Sequence, residues 1–204
     1  MEFYPIFPSV IGKVKIEEHE LIKKKYAPRI IDQFKTSPNE KAPWANQCNT
    51  WQVNADNQLN EVFTKYFEKY LHDWFEEFKF PKIKYKVFMW VNVHNWYGYQ
   101  DTHTHLGGHT ILCGTYSLQL NEHDRPVQFT TEGTYHSLYR NILEQENITE
   151  PVHYSLADKS CEFVDITEGD LVLFAPSLRH YVPCATQKHD GHRITLSFNV
   201  TKAY

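Results

Sequence analysis

The chain has 204 residues, with 13 Phe, 13 Tyr and 5 Trp against only 8 Gly, which predicts one domain over residues 1–204 with a full, sheet-based core and a few strong helices. A formal net charge of −4 excludes a general attraction to nucleic acid, and no stretch reaches the ~20 apolar residues that crossing a bilayer requires. The start, Met-Glu-Phe-Tyr-Pro, lacks a leader pattern, and Cys48, Cys113, Cys161 and Cys184 form no C-x-x-C pair, so zinc-ribbon and thioredoxin readings fail and buried thiols in a reduced, cytoplasmic setting are expected.

Residues 3–16 read as an edge strand. Residues 17–35 carry apolar positions at Leu21, Ile22, Tyr26, Ile30, Ile31 and Phe34, a helix expected to break or kink near Pro28. The run Lys23-Lys24-Lys25 reads as its solvated face, and residues 36–46 read as a loop. The clearest helix spans 57–78, with Asp56 or Asn57 as N-cap. Its stripe of Leu59, Val62, Phe63, Tyr66, Phe67, Tyr70, Leu71, Trp74, Phe75 and Phe78 predicts a helix laid across the back of a sheet rather than a ligand grip.

From residue 82 the period changes to two. Lys82–Val87 alternates and Phe88–Val93 continues as a buried strand; further strands are expected at 109–121, 126–131, 161–166, 170–175, 180–184 and 192–201. Helices first and strands after predict an α+β chain built around an antiparallel sandwich or barrel, with residues 1–80 as helical support and 81–204 as the β core. Residues 133–160 show no periodicity and read as an insertion, a frequent form for a lid.

Two features carry chemistry. His103-Thr104-His105 places two imidazoles at i and i+2, on one face of an extended strand with Cα atoms roughly 6.5 Å apart, close enough to share one metal ion. His180 follows a strand and turn, Leu171 to Ser177, at the mouth of the expected barrel. Arg193-Ile194-Thr195-Leu196-Ser197-Phe198 alternates strictly, so Arg193, Thr195 and Ser197 share a face on which a guanidinium and hydroxyls can fork a carboxylate. Most of the other histidines, among them His19, His72, His123, His136, His153 and His189, read as structural.

The ordered set of motifs resembles the non-haem iron(II), 2-oxoglutarate-dependent dioxygenases, and within them a small branch common in bacteria and tailed phages with a prolyl-hydroxylase-like core. The resemblance covers roughly residues 85–201. It rests on Trp90-Val91-Asn92, Gly98-Tyr99-Gln100, His103-Thr104-His105, Cys113-Gly114-Thr115-Tyr116, Gly169-Asp170-Leu171 through Phe174-Ala175-Pro176 to His180, and Arg193 through Asn199. It implies a double-stranded β-helix (a jelly roll) with the N-terminal helices on its outer sheet. It also implies iron(II) held by His103 and His180, with 2-oxoglutarate chelating the metal and its distal carboxylate on Arg193; Thr195 and Asn92 are this chain's candidates for the hydrogen bonds that a tyrosine common in relatives would otherwise supply.

Three departures from the family pattern stand out. The superfamily's usual two-histidine, one-carboxylate site has His105 where the carboxylate belongs, so either His105 ligates as a third imidazole or the position falls to water or another residue, Asp101 being the nearest carboxylate. Ser117 replaces a tyrosine common in relatives. His109, after Gly107-Gly108, is a candidate for supporting the site or touching substrate. The reading is then a hydroxylating dioxygenase with His103, His105 and His180 on iron, a small-molecule or peptidyl substrate plus O2, and the 133–160 insertion and Trp96–Asp101 loop framing the substrate. Two rivals are a three-histidine zinc hydrolase or lyase, which gives Arg193 no role, and a non-catalytic jelly-roll binding module.

Overall fold

The computed structural model describes residues 10–40, 48–130 and 165–203. Strand β1 (Ile11–Lys15) leads into helix α1 (His19–Thr36), and β2 (Trp51–Asn54) into α2 (Asn57–Val62) and α3 (Glu68–Glu77), which a π-helical turn at Phe63–Phe67 joins into one rod. The remaining strands are β3 (Tyr85–His94), β4 (Gln100–His103), β5 (Thr110–Gln119), β6 (Gln128–Thr130), β7 (Asp170–Phe174), β8 (Arg179–Val182) and β9 (Arg193–Lys202). They form a six-stranded sheet in the order β1-β7-β5-β9-β3-β2 and a three-stranded sheet in the order β4-β8-β6, paired antiparallel throughout.

Period-two alternation sorts each strand between two cores. Ile194, Leu196, Phe198 and Val200 of β9 join Met89, Val91 and Val93 of β3 and the apolar stripe of the helices in one cluster on the outer face of the larger sheet. Between the sheets, Val172 and Phe174 of β7 meet Cys113, Phe129, Ile166 and Leu178. The antiparallel jelly-roll architecture with helices on its outer sheet is therefore present.

Asp56 caps the helical rod as expected, its carboxylate accepting from the Leu59 N–H at 3.0 Å. The π-turn adds one residue to the period, and Phe63 and Phe67 both reach the sheet: Phe63 packs on Phe198 at 4.9 Å between ring centroids and Phe67 on Tyr116 at 4.9 Å. Gly114 lies opposite Phe198 in the β5–β9 register, and a Cβ there would sit 2.1 Å from the ring. Gly114→Ala is expected to overpack this contact and cost about 1–3 kcal/mol, read as a lower urea midpoint at unchanged slope.

Several expectations change. Helix α1 runs unbroken through Pro28, its apolar face (Ile22, Tyr26, Ala27, Ile30) buried against the sheet; that burial outweighs one missing backbone hydrogen bond. Strand β2 was not expected, and β4 occupies part of the presumed Trp96–Asp101 loop. Cys48 and Cys113 are buried, but Cys184 is exposed. The 133–160 insertion, Cys161, residues 3–9 and most of the strand expected at 161–166 lie outside the described residues, while Asp165 and Ile166 are not in a strand.

Candidate metal centre

Pairing of β4 with β8 sets His103 directly opposite His180, and their ring centroids are 4.2 Å apart. His105 lies just beyond the end of β4 rather than on it, so the predicted shared strand face is not how it arrives. Its backbone N–H donates instead to the Pro176 carbonyl at 2.9 Å, in the turn before β8. This brings the His105 ring parallel to His180, 7° between planes and 5.1 Å between centroids. Trp90 stacks near the His105 ring at 5.8 Å and 28°. One potential ligand nitrogen from each of the three imidazoles falls within a 4.8 Å cluster.

The donor set suits a divalent cation. His103 Nδ1–H donates to the Asp101 carbonyl at 2.7 Å and His180 Nδ1–H to the Leu178 carbonyl at 2.9 Å. Each bond fixes the tautomer in which Nε2 carries no proton, which is how metal-ligating histidines are commonly oriented. His105 Nε2 lies 3.2 Å from His180 Nε2, about the spacing of adjacent donors on one ion with bonds of about 2 Å. Burial, reinforced by the neighbouring imidazoles, pushes His105 down to about 4 and His180 to about 3; burial also lowers His103, against its bond to Asp101. Neutral rings at physiological pH are the ligating form.

These shifts predict an acid sensitivity. In chelator-treated protein the unfolded chain takes up protons below the ordinary value of 6.5, which the folded rings of His105 and His180 refuse down to about 4 and 3. Stability is therefore complete above about pH 6.5 and falls as pH drops through that window. Urea midpoints measured between about pH 7.5 and pH 5 check the sign: a midpoint that rises on acidification contradicts it.

The Asp101 carboxylate is not part of the cluster, and its backbone carbonyl is what meets His103. A cavity of about 320 Å³ adjoins the imidazoles, lined on its sheet side by Trp90 and Asn92 of β3, Thr115 of β5, and Arg193, Thr195 and Ser197 of β9. The shared face of Arg193, Thr195 and Ser197 is thus as the alternation predicts. Asn92 Nδ2 donates to Thr195 Oγ1 at 3.3 Å and Ser197 Oγ at 3.2 Å. Ser117 and His109 do not line the cavity. Gln52, Gln100 and Cys113 do; none of the three is among the predicted site residues, and Gln52 and Gln100 sit on short β2 and β4, which take their strand form from tertiary pairing rather than from any pattern of their own.

Arg193 is 1% exposed. Its guanidinium donates to the backbone carbonyls of Arg125, Pro183 and Gly98, the last two at 3.2 and 3.3 Å. Among the described residues no carboxylate pairs with it, and Nε–H has no partner. Nη2 carries two hydrogens and Gly98 takes one, so the Nε/Nη2 edge retains donors for an incoming carboxylate. Burial lowers Arg193 to about 10, against the pull of Asp124, and it remains a cation at neutral pH. Behind it, buried His94 donates from Nε2 to Thr50 Oγ1 at 2.9 Å, and Thr50 donates on to the Tyr99 carbonyl at 3.0 Å. Burial and the Arg193 charge hold His94 well below the usual imidazole range.

A second group, His19, Glu20 and Glu168, also brings its atoms together, but it is an internal ion-pair network. Glu168 accepts from Lys23 at 2.6 Å, the Leu120 N–H at 2.8 Å and His19 Nε2 at 3.2 Å. Tyr116 closes it on His19 Nδ1 at 2.6 Å.

The model of the family described as "Putative 2OG-Fe(II) oxygenase" matches residues 88–199. No curated protein matches the sequence. The fold is similar to a prolyl-4-hydroxylase from Pseudomonas putida (TM-score 0.60, 9% identity, 95% of this chain and 93% of that one). It is also similar to the viral collagen prolyl hydroxylase of Paramecium Bursaria Chlorella virus-1, solved with 2-oxoglutarate (0.58, 12%, 95% and 96%). A third match is HygX from Streptomyces hygroscopicus, solved with nickel and 2-oxoglutarate (0.56, 10%, 96% and 84%). The chain belongs to the 2OG-Fe(II) oxygenase family and is an oxidoreductase of the dioxygenase type. Among the described residues no helix is long and apolar enough to cross a membrane.

Proposed function

We propose that this enzyme hydroxylates a small-molecule or peptidyl substrate, with His103, His105 and His180 holding iron(II) and Arg193 holding the distal carboxylate of 2-oxoglutarate. The observation that carries this reading is the pairing of two features in one cavity: a cluster of three imidazole nitrogens within 4.8 Å and a buried guanidinium whose Nε–H has no partner. A zinc hydrolase leaves the second feature without a purpose.

Bound together, iron(II) and 2-oxoglutarate supply the oxidising chemistry that consumes O2, releases succinate and CO2 and hydroxylates a C–H bond. The chain's own part is placement. Carbonyls of Asp101 and Leu178 aim two imidazoles, and Trp90 limits the swing of the third. Backbone carbonyls hold the guanidinium so that a carboxylate meets a fixed fork. Thr195, positioned by Asn92, offers a hydroxyl beside that fork.

The test is anaerobic loading with iron(II) and 2-oxoglutarate, followed by a scan for the weak visible charge-transfer absorption. Expected are that band, a 2-oxoglutarate-dependent rise in unfolding temperature and, on admitting O2, succinate. Neither band nor protection removes the reading; bound zinc with hydrolytic activity would favour the rival.

A further inference from the structure

Two buried polar side chains lie behind Arg193 and do not line the cavity. His94 closes β3 and faces Arg193 in the β3–β9 register. It is 2% exposed, and Thr50, just before β2, is 4% exposed. Burying an imidazole and a hydroxyl costs free energy that an apolar pair of similar size would avoid, so packing alone does not account for them.

What they hold is backbone. Thr50 has one hydroxyl hydrogen, and the Tyr99 carbonyl takes it at 3.0 Å, so His94 Nε2–H donates to Thr50 Oγ1 at 2.9 Å. The Asn49 N–H adds a second bond on the Tyr99 carbonyl at 2.9 Å. One residue earlier, the Gly98 carbonyl accepts from Arg193 Nη2 at 3.3 Å. Gly98 packs closely on His94: a Cβ there would lie 2.8 Å from the His94 Cβ and 3.1 Å from the carbonyl oxygens of Asn49 and Asn95. Its own N–H donates to that Asn95 carbonyl at 2.8 Å. The backbone that receives Arg193 is thus clamped on the side where His94 and Thr50 stand.

We infer that His94 is a positioning residue for 2-oxoglutarate: through Thr50 it fixes the backbone of Gly98 and Tyr99, and with it the guanidinium that receives the distal carboxylate. It touches neither cosubstrate nor metal, and its role rests on the one proposed for Arg193. A guanidinium already held in its binding pose loses little freedom when a carboxylate arrives, which is how preorganisation raises affinity.

The experiment uses full-length protein loaded anaerobically with cobalt(II), titrated calorimetrically with 2-oxoglutarate and with 2-oxopentanoate. Both keto acids offer the same chelating end and only the first has a distal carboxylate, so the ratio of their affinities isolates the Arg193 end. His94→Leu and Thr50→Val are each expected to lower that ratio roughly ten-fold, about what the loss of a buried hydrogen bond implies. Affinities for cobalt and for 2-oxopentanoate should stay near those of the parent. The double variant should fall no further than either single, since both break one chain of bonds. His94→Gln, whose amide can still donate to Thr50, is expected to keep most of the ratio.

An unchanged ratio in His94→Leu or in Thr50→Val overturns the inference. So does an equal loss for both keto acids, effects that multiply in the double variant, or a His94→Gln as impaired as His94→Leu. Should one single variant not bind cobalt, the other decides together with His94→Gln. A parent protein that binds cobalt but does not prefer 2-oxoglutarate over 2-oxopentanoate removes the role of Arg193 and that of His94 together. A preference lost in Arg193→Met but kept in His94→Leu and Thr50→Val leaves Arg193 in its role and removes only that of His94.

Discussion

Arg193→Met is expected to weaken 2-oxoglutarate binding by about 3–5 kcal/mol, between a hundred- and several thousand-fold, while leaving the cosubstrate-free fold within about 1 kcal/mol of the parent or more stable. The two halves of this prediction share a cause. In the free protein the guanidinium is buried at 1% exposure, donates only to backbone carbonyls and leaves Nε–H unpartnered. An apolar side chain of similar length removes that desolvation penalty. The carbonyls of Gly98, Arg125 and Pro183 lose a donor, but under-satisfied carbonyls are the milder defect. The carboxylate, by contrast, loses a charge-assisted fork for which the cavity offers no substitute. Isothermal titration of metal-loaded protein with 2-oxoglutarate gives the affinity, and urea unfolding gives the stability. Arg193→Lys is expected to fall between, since an ammonium cannot reproduce the planar fork. Unchanged affinity in Arg193→Met would mean the cosubstrate is held elsewhere.

Removing an imidazole should matter as much. His180→Ala and His105→Ala are each expected to lower iron(II) affinity by more than about a hundred-fold, because losing only an outer partner of a ligand commonly costs 10–100-fold. Asp101→Asn should leave affinity near the parent value, since that residue contributes only its backbone carbonyl. Equilibrium competition with a chromogenic chelator measures all three. An effect of His180→Ala without one of His105→Ala would reduce the site to two histidines.

Much of this site could be read from residues alone, for reasons that differ between its parts. Strict alternation in Arg193–Asn199 leaves one choice of face once Ile194, Leu196 and Phe198 must be buried, so the cavity-facing row follows directly. Asp56 as cap and the aromatic stripe of 57–78 are likewise local and were legible. His105 joins the imidazole cluster by a route other than the shared strand face that its spacing predicts. It reaches the cluster through its backbone bond to Pro176, a contact between segments some 70 residues apart that no periodicity encodes. Strands β2 and β4, four residues each, are extended because β3 and β8 pair with them. The tethering of Arg193 by three carbonyls is equally non-local: Gly98, Arg125 and Pro183 come from three separate loops. At Pro28 the break that helix propensity allows does not occur, because burial of one face overrides it.

The most direct measurement is a structure of iron-loaded protein, or X-ray absorption on the same sample, counting the donors on the ion. Three imidazole nitrogens at about 2 Å, from positions 103, 105 and 180, are the predicted result. An ion bound by a carboxylate oxygen in place of the ring at 105, or found away from these side chains, would contradict the account.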